Sequence, residues 1–157
     1  MQPVGGLRIS AMVIDTPVNE NVECRSLKED SWREACEERW YRSQEAGRDV
    51  GESAIRHWVH VHWRGFLRAR WIEHMLGLRF WTELGRDEFG LLRQTPVDLR
   101  PLLSEVIGQL ICGAENLNII CWSRLKSPPE QDAIRNLLNL INVNGHRLRC
   151  HFADDPA

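Results

Sequence analysis

Residues 52–76 carry the longest uninterrupted helical pattern of the chain, and this pattern constrains the fold more than any other feature of the sequence. At about 100° per residue, most of their apolar side chains fall in one broad sector of a helical wheel. That sector contains Ala54, Ile55, Trp58, Val59, Val61, Gly65, Phe66, Ala69, Ile72 and Leu76. Gly77 follows, and glycine commonly ends a helix at this position. The pattern predicts a long amphipathic helix with this sector in the core.

The opposite sector of the same helix is basic and carries a second apolar ridge. The ridge consists of Trp63, Leu67 and Trp71. In one interpretation it docks on a matching ladder of Trp32, Cys36 and Trp40 in a preceding helix, and the arginines pair with glutamates or reach solvent. In the other, the ridge and its cations are exposed and bind a partner. The candidate binding surface then consists of Arg56, His60, Trp63, Arg64, Leu67, Arg68 and Trp71.

A shorter helix is predicted upstream, from Ser31 to about Ala46. Ser31 and Glu34 have the spacing of a capping box, in which the two residues satisfy backbone N–H groups at the start of a helix. Gly47 ends this helix, and a short charged connector leads into the long one. Residues 31–77 are therefore predicted to form a helical pair.

Two further helices are predicted in the C-terminal half. Residues 99–111 carry apolar side chains on one helical face, and Asp98 can cap the helix. Residues 128–141 follow a capping box formed by Ser127 and Glu130, with proline at the first helical position. Both segments have the length and the periodicity of amphipathic helices.

Strands are predicted between and around these helices. The apolar run 117–122 has the character of a buried strand, and residues 146–152 alternate between apolar and polar side chains. Residues 79–93 consist of two short apolar segments around a polar turn, which predicts a β-hairpin. Residues 1–30 are predicted to contain a strand at 7–14 and a polar loop or arm.

These elements predict an α/β (or α+β) fold in a single domain of residues 1–157. Its core is a small, mixed and mostly parallel sheet of about four to six strands, packed by two C-terminal crossover helices. The N-terminal helical pair covers the sheet or stands beside it. In order along the chain, the parts are 1–30 (strand and arm), 31–77 (helical pair) and 79–152 (hairpin, then helix–strand–helix–strand).

Composition narrows the classes of protein that this chain can belong to. A net charge of −2 gives no overall attraction to nucleic acid or to anionic lipid. No apolar run approaches the roughly 18 residues of a membrane helix, and the first residues lack the pattern of a secretion signal. The five cysteines form no CxxC pair, which favours reduced thiols over disulfides or zinc. We expect a soluble, intracellular and cytoplasmic protein without a membrane partner.

Signals for metal, cofactor or catalysis are weak. His57 and His60 can share a helix face, but no carboxylate stands at ligand spacing beside them, so we predict no metal and no cofactor. His62 and Glu73 fall toward the apolar sector. We interpret His62 as bonding a loop carbonyl and Glu73 as meeting an arginine. Nucleotide-binding and hydrolase motifs are absent from the sequence.

We therefore expect a non-catalytic protein-interaction or assembly module that binds a protein partner or itself through the tryptophan- and arginine-rich helix surface. One alternative is single-stranded nucleic-acid binding by the same helix. The other is an enzyme with a pocket at the strand ends near residues 121–124.

Overall fold

The described part of the chain, residues 21–145 and 147–152 of this computed structural model, is dominated by helices. Its two longest helices, α1 (Leu27–Ala46) and α2 (Glu52–Met75), pack against each other and form the predicted pair. Gly47 ends α1 with a left-handed φ of 67°, as its glycine predicts. The bounds of α2 and the end of α1 are thus close to those predicted.

The predicted start of α1 is wrong, because the helix begins one turn earlier, at Leu27. Ser31 is fully buried inside α1, and its hydroxyl donates to the carbonyl of Lys28 at 3.2 Å. Glu34 pairs with Arg70 of α2 at 3.2 Å. Neither residue of the predicted capping box is therefore at the N-terminus of the helix.

Most of the predicted apolar sector of α2 is in the core. The residues buried there are Ala54, Ile55, Trp58, Phe66, Ile72 and Leu76. Val61 and Gly65, which belong to the same predicted sector, are exposed. The core continues from α2 into the apolar faces of the C-terminal helices.

The predicted sheet of four to six strands is wrong, since the described residues contain one pair of very short strands. Strand β1 (Cys24–Arg25) pairs in parallel with β2 (Phe80–Trp81), with Cys24 opposite Phe80. The α/β label holds only in part, because a small parallel pair accompanies a structure made mainly of helices.

The predicted hairpin over residues 79–93 is also wrong. After β2 the chain turns and forms two short 3-10 helices, Leu91–Gln94 and Val97–Leu99. The reason lies in His74, whose ring bonds the backbone N–H of Trp81 at 3.2 Å and the carbonyl of Gly85 at 2.6 Å. Backbone groups that a hairpin ladder would pair are thus bound to the end of α2 instead.

Three helices form the C-terminal half: α3 (Arg100–Ile111), α4 (Asn116–Ser123) and α5 (Pro128–Ile141). Helices α3 and α5 confirm the predicted ones. In α5, the hydroxyl of Ser127 accepts the Glu130 backbone N–H, and the Glu130 carboxylate accepts the Ser127 backbone N–H at 3.0 Å. Asp98 does not cap α3, whose N-cap is Leu99, without a side-chain cap bond.

Helix α4 stands where a strand is predicted at 117–122. The helix begins with a capping box. The backbone N–H of Glu115 donates to the side-chain oxygen of Asn118 at 2.9 Å, and the Glu115 side chain accepts the backbone N–H of Asn118. Ile119 is fully buried, whereas Leu117 is 70% exposed. The apolar run is therefore not buried along its length, and local capping decides its conformation.

The segment that follows α5 is not the predicted strand in its described part, residues 147–152. Cys150 is buried, and the ring of Phe152 lies 5.2 Å from that of Trp32 in α1. The predicted strand at 7–14 lies outside the described residues, and the single-domain boundary stays a prediction. No helix in the described ranges is long and apolar enough to cross a membrane.

Candidate functional site

The predicted binding surface divides into buried and exposed residues. Trp71 and Leu67 belong to the core, with 2% and 7% of their surface exposed. The indole N–H of Trp71 donates to the carbonyl of Ile141, at the end of α5, at 2.7 Å. Trp32 and Trp40, the alternative docking partners, remain 46% and 58% exposed. The ridge is therefore packed within the chain, but against its C-terminal part.

Two more residues of the predicted surface connect α2 to later segments. Trp63 is half-buried, and its indole N–H donates to the carbonyl of Leu148 at 2.9 Å. Arg68 donates to the carbonyl of Ala114 at 3.2 Å and pairs with Glu115 at 3.0 Å. Both side chains are thus engaged in holding the C-terminal half on α2.

The remaining three predicted residues, Arg56, His60 and Arg64, are exposed on α2. They lie four residues apart, so they occupy neighbouring positions on successive helical turns. Arg56 forms an exposed ion pair with Glu52 at 3.6 Å. This row is the exposed part of the predicted surface, while Trp63 and Arg68 are partly accessible.

The histidines of α2 do not gather into a metal site. Within the described ranges, no group of three or more His, Cys, Asp or Glu side chains could hold a metal ion. His62 is half-buried with its ring 6.2 Å from that of Trp58. In the part of the chain that is described, it bonds no carbonyl, so that interpretation is wrong.

A buried polar cluster occupies the C-terminal end of α2. Glu73 is 1% exposed, and its carboxylate accepts the indole N–H of Trp81 at 3.2 Å and a guanidinium N–H of Arg70 at 3.3 Å. Burial raises the pKa of Glu73, while the charges of Arg70 and Arg79 oppose that rise. The predicted contact of Glu73 with an arginine is confirmed, and the cluster fastens β2 to α2.

His74 belongs to the same cluster, although its position on the helical wheel of α2 falls in the basic sector. The ring is fully buried, and both nitrogens are used by the backbone of Trp81 and Gly85. Burial lowers the pKa of His74. With no nitrogen left for a substrate, this histidine has a structural role. The sequence carries no spacing signal that distinguishes it from the exposed histidines of α2.

The most exposed aromatic side chains of the described residues lie on the outer face of α1. Trp40 and Tyr41 are 58% and 61% exposed, and their rings meet edge to face at 5.0 Å. Beside them lies an open cleft of about 660 Å³ at the end of α1. There Arg39 binds Asp49 with two hydrogen bonds, which lower the pKa of Asp49 to about 2. Sequence reasoning missed this face because it assigned Trp40 to a helix interface.

An apolar groove of about 520 Å³ lies between α5 and the 3-10 segment. Among the described residues, Asp132 is the only ionisable one that lines it, and this carboxylate pairs with Arg135 at 3.1 Å. The groove thus offers no acid–base pair. The enzyme alternative places a pocket at the end of a strand near Cys121. In the structure this segment is helix α4, and Cys121 is exposed on it. The alternative of an enzyme stays a prediction.

Comparisons with known proteins add no family to these observations. No protein-family model, no curated protein and no solved structure matches the chain. What the protein does must therefore be inferred from its own residues.

Proposed function

We propose that the protein is a non-catalytic assembly module that associates with a second copy of itself through the outer face of α1. The observation that carries this proposal is the exposure of Trp40 and Tyr41, 58% and 61%, side by side on one helix. Buried aromatic side chains contribute strongly at protein interfaces. This face replaces the ridge of α2, whose tryptophans are packed within the chain.

The charges around the aromatic pair favour a second copy as the partner. Arg33 lies in the N-terminal half of α1, where it also pairs with Asp30 of its own chain at 2.8 Å, and Glu45 lies in the C-terminal half; both residues are exposed. In a two-fold symmetric pair of antiparallel helices, each contact occurs twice. A pair that crosses near residue 39 places Arg33 of each copy opposite Glu45 of the other. The same crossing brings both aromatic pairs to the centre of the interface.

Light scattering on a chromatographed concentration series tests the aromatic contact. We expect the mass of the native chain to rise from one copy to two with concentration. Replacement of Trp40 and Tyr41 by alanine should weaken association at least thirtyfold, which corresponds to about 2 kcal/mol for a central contact. The matched control is Leu117→Ala with Leu125→Ala, since these leucines are 70% and 85% exposed elsewhere. A native chain that stays monomeric throughout contradicts the proposal.

A charge-reversal cycle tests the arrangement of the two helices. Arg33→Glu and Glu45→Arg should each weaken association, because each places like charges opposite one another. The double variant should restore it. The two positions lie about 18 Å apart along a single α1, so a rescue requires contact between two chains. If association is equally strong in the two single variants and the double variant, the antiparallel crossing is ruled out.

A further inference from the structure

Two segments of the chain carry cations and no carboxylate. Residues 53–72 contain four arginines and three histidines, and no aspartate or glutamate. Residues 133–153 contain three arginines and two histidines, again without an acid. The net charge of the whole chain is −2, so the positive charge is concentrated rather than general. The two segments are therefore the candidates for a region of local positive charge.

Two indole hydrogen bonds lay the end of the second segment along α2. Trp71 donates to the carbonyl of Ile141 at 2.7 Å, and Trp63 donates to the carbonyl of Leu148 at 2.9 Å. The two tryptophans are about 12 Å apart along the helix axis. The chain after α5 therefore runs beside α2 toward its N-terminus. This path brings the exposed residues around Leu148 next to the exposed residues around Trp63.

Three arginines that are next in sequence to Trp63 or Leu148 have no charged partner within the described residues. Arg64, Arg147 and Arg149 are exposed and make no hydrogen bond or ion pair in that part of the chain. Arg68 and Arg70, in contrast, are largely buried, and each pairs with a glutamate. Arg68 and Arg70 therefore stabilise the fold, whereas the other three arginines are exposed to solvent.

We propose that this side of the molecule binds the phosphate backbone of a single-stranded nucleic acid. The binding residues form a basic strip that consists of His60, Arg64, Arg147, Arg149 and His151. His60 and Arg64 are one turn apart, about 6 Å along the axis. The Cα atoms of Arg147 and Arg149 are at most about 7 Å apart. Arg64, Arg147 and Arg149 supply the positive charges of the strip, and several separate charges suit a polymer with one charge per unit better than an isolated carboxylate does.

The flank of the basic strip supplies contacts for bases. Trp63 is half-buried beside the strip, and Leu148 is 40% exposed. Partly exposed aromatic and apolar groups next to cations are the combination that binds single strands without strong sequence preference. An acidic protein partner would bind the arginines of the strip but would not need the neighbouring aromatic and apolar groups. This proposal does not depend on self-association through α1, because it uses different residues.

Fluorescence anisotropy with a labelled oligothymidylate of about 20 nucleotides tests the basic strip on the full chain. The test variant is Arg147→Ala with Arg149→Ala. The control is Arg86→Ala with Arg124→Ala, which removes the same charge from exposed sites elsewhere. We expect the test variant to bind about tenfold more weakly at low salt. The slope of its log binding constant against log salt concentration should become less steep by about 0.7 for each lost phosphate contact. The control should bind like the native chain.

Three outcomes overturn the proposal. The first is no binding by the native chain at low salt, and the second is an equal loss in the test and control variants. The third is competition by polyglutamate as strong as that by unlabelled oligonucleotide, which would identify the surface as one for acidic proteins. Circular dichroism of both variants establishes that a lost signal does not come from unfolding.

Discussion

His74 shows how one buried side chain directs the path of the segment after it. Its Nε2 lies 2.6 Å from the carbonyl oxygen of Gly85, and its Nδ1 accepts the backbone N–H of Trp81 at 3.2 Å. A carbonyl can only accept, so Nε2 carries the proton and the ring is neutral. Phe80 and Phe89 pack around it, with ring centroids at 5.0 and 5.3 Å. The neutral imidazole thus bridges two turns of backbone inside an apolar shell.

Replacing His74 by alanine should destabilise the protein by about 3 kcal/mol at pH 8, because it leaves a cavity and two backbone groups without their partner. Urea unfolding followed by circular dichroism measures this change. His60→Ala is the matched control, since His60 is an exposed histidine of the same helix and should change stability by less than about 0.5 kcal/mol. Equal effects of the two substitutions would argue against the bridge.

The cost of the His74 substitution should also shrink on acidification. Burial lowers the pKa of His74 in the folded chain, so the unfolded chain takes up the proton first. The stability that the neutral ring contributes is complete above the ordinary histidine pKa of about 6.5 and declines as the pH falls below it. Native and His74→Ala chains should therefore differ less at pH 5 than at pH 8. A constant difference would contradict a buried neutral ring.

At the scale of elements, the N-terminus of α1 is held by a carboxylate from far along the chain. Glu83 accepts the backbone N–H groups of Leu27 and Lys28 at 2.8 and 3.2 Å, and the hydroxyl of Ser26 at 2.6 Å. A negative charge at this end also suits the helix dipole. Glu83 therefore performs the capping that the sequence pattern assigns to Ser31, and it ties α1 to β2.

Glu83→Ala should destabilise the protein by about 1–2 kcal/mol, the usual cost of losing a helix cap. Burial alone would raise the pKa of Glu83, but the hydrogen bonds from Ser26, Leu27 and Lys28 outweigh it and lower that pKa. The contribution is therefore present above the ordinary glutamate pKa of about 4.3 and is lost as the pH falls through the folded value. Thermal unfolding at pH 7 and pH 3 measures it. Glu37→Ala, at an exposed site of α1, is the control and should change little at either pH.

Elements whose ends are set by neighbouring residues could be predicted from the sequence. Helix α5 has its capping box and buried stripe within one continuous segment, and α2 has its periodicity and Gly77. The start of α1 depends on Glu83, which is 56 residues from Leu27. Ser31 and Glu34 have the spacing of a capping box, but the distant carboxylate of Glu83 caps the helix instead. No local pattern in the sequence indicates this contact. The strand predicted at 117–122 is wrong for another reason: its apolar content favours a strand, but the capping box formed by Glu115 and Asn118 starts a helix there.

At the scale of the whole molecule, the alternation of residues 146–152 predicts a strand in a sheet, but the described part, residues 147–152, packs on helices. Cys150 is buried, and Phe152 packs 5.2 Å from Trp32 and 6.1 Å from Trp58. The apolar side of this segment therefore lies on the pair α1 and α2 instead of a sheet. A period of two residues says which side chains are buried, but not whether strands or helices cover them. The predicted binding surface on α2 shared this limit, since the same segment covers Trp63.

The C-terminal segment should detach when its aromatic contacts are removed, while the rest of the fold persists. Trp63→Phe deletes the indole donor to Leu148, and Phe152→Ala deletes the ring between Trp32 and Trp58. Apart from the buried Cys150, the described side chains of this segment are exposed or half-buried, so we expect its local opening to cost less than global unfolding. We expect trypsin to cleave after Arg147 and Arg149 about tenfold faster in the double variant, with stability lowered by only about 1–2 kcal/mol. Trp122→Phe, which alters a half-buried tryptophan of α4, is the control for the aromatic substitution. If cleavage of the double variant proceeds at the native rate, the segment is held by contacts other than these two side chains. If cleavage accelerates throughout the chain, the segment belongs to the same cooperative unit as the helices and does not open by itself.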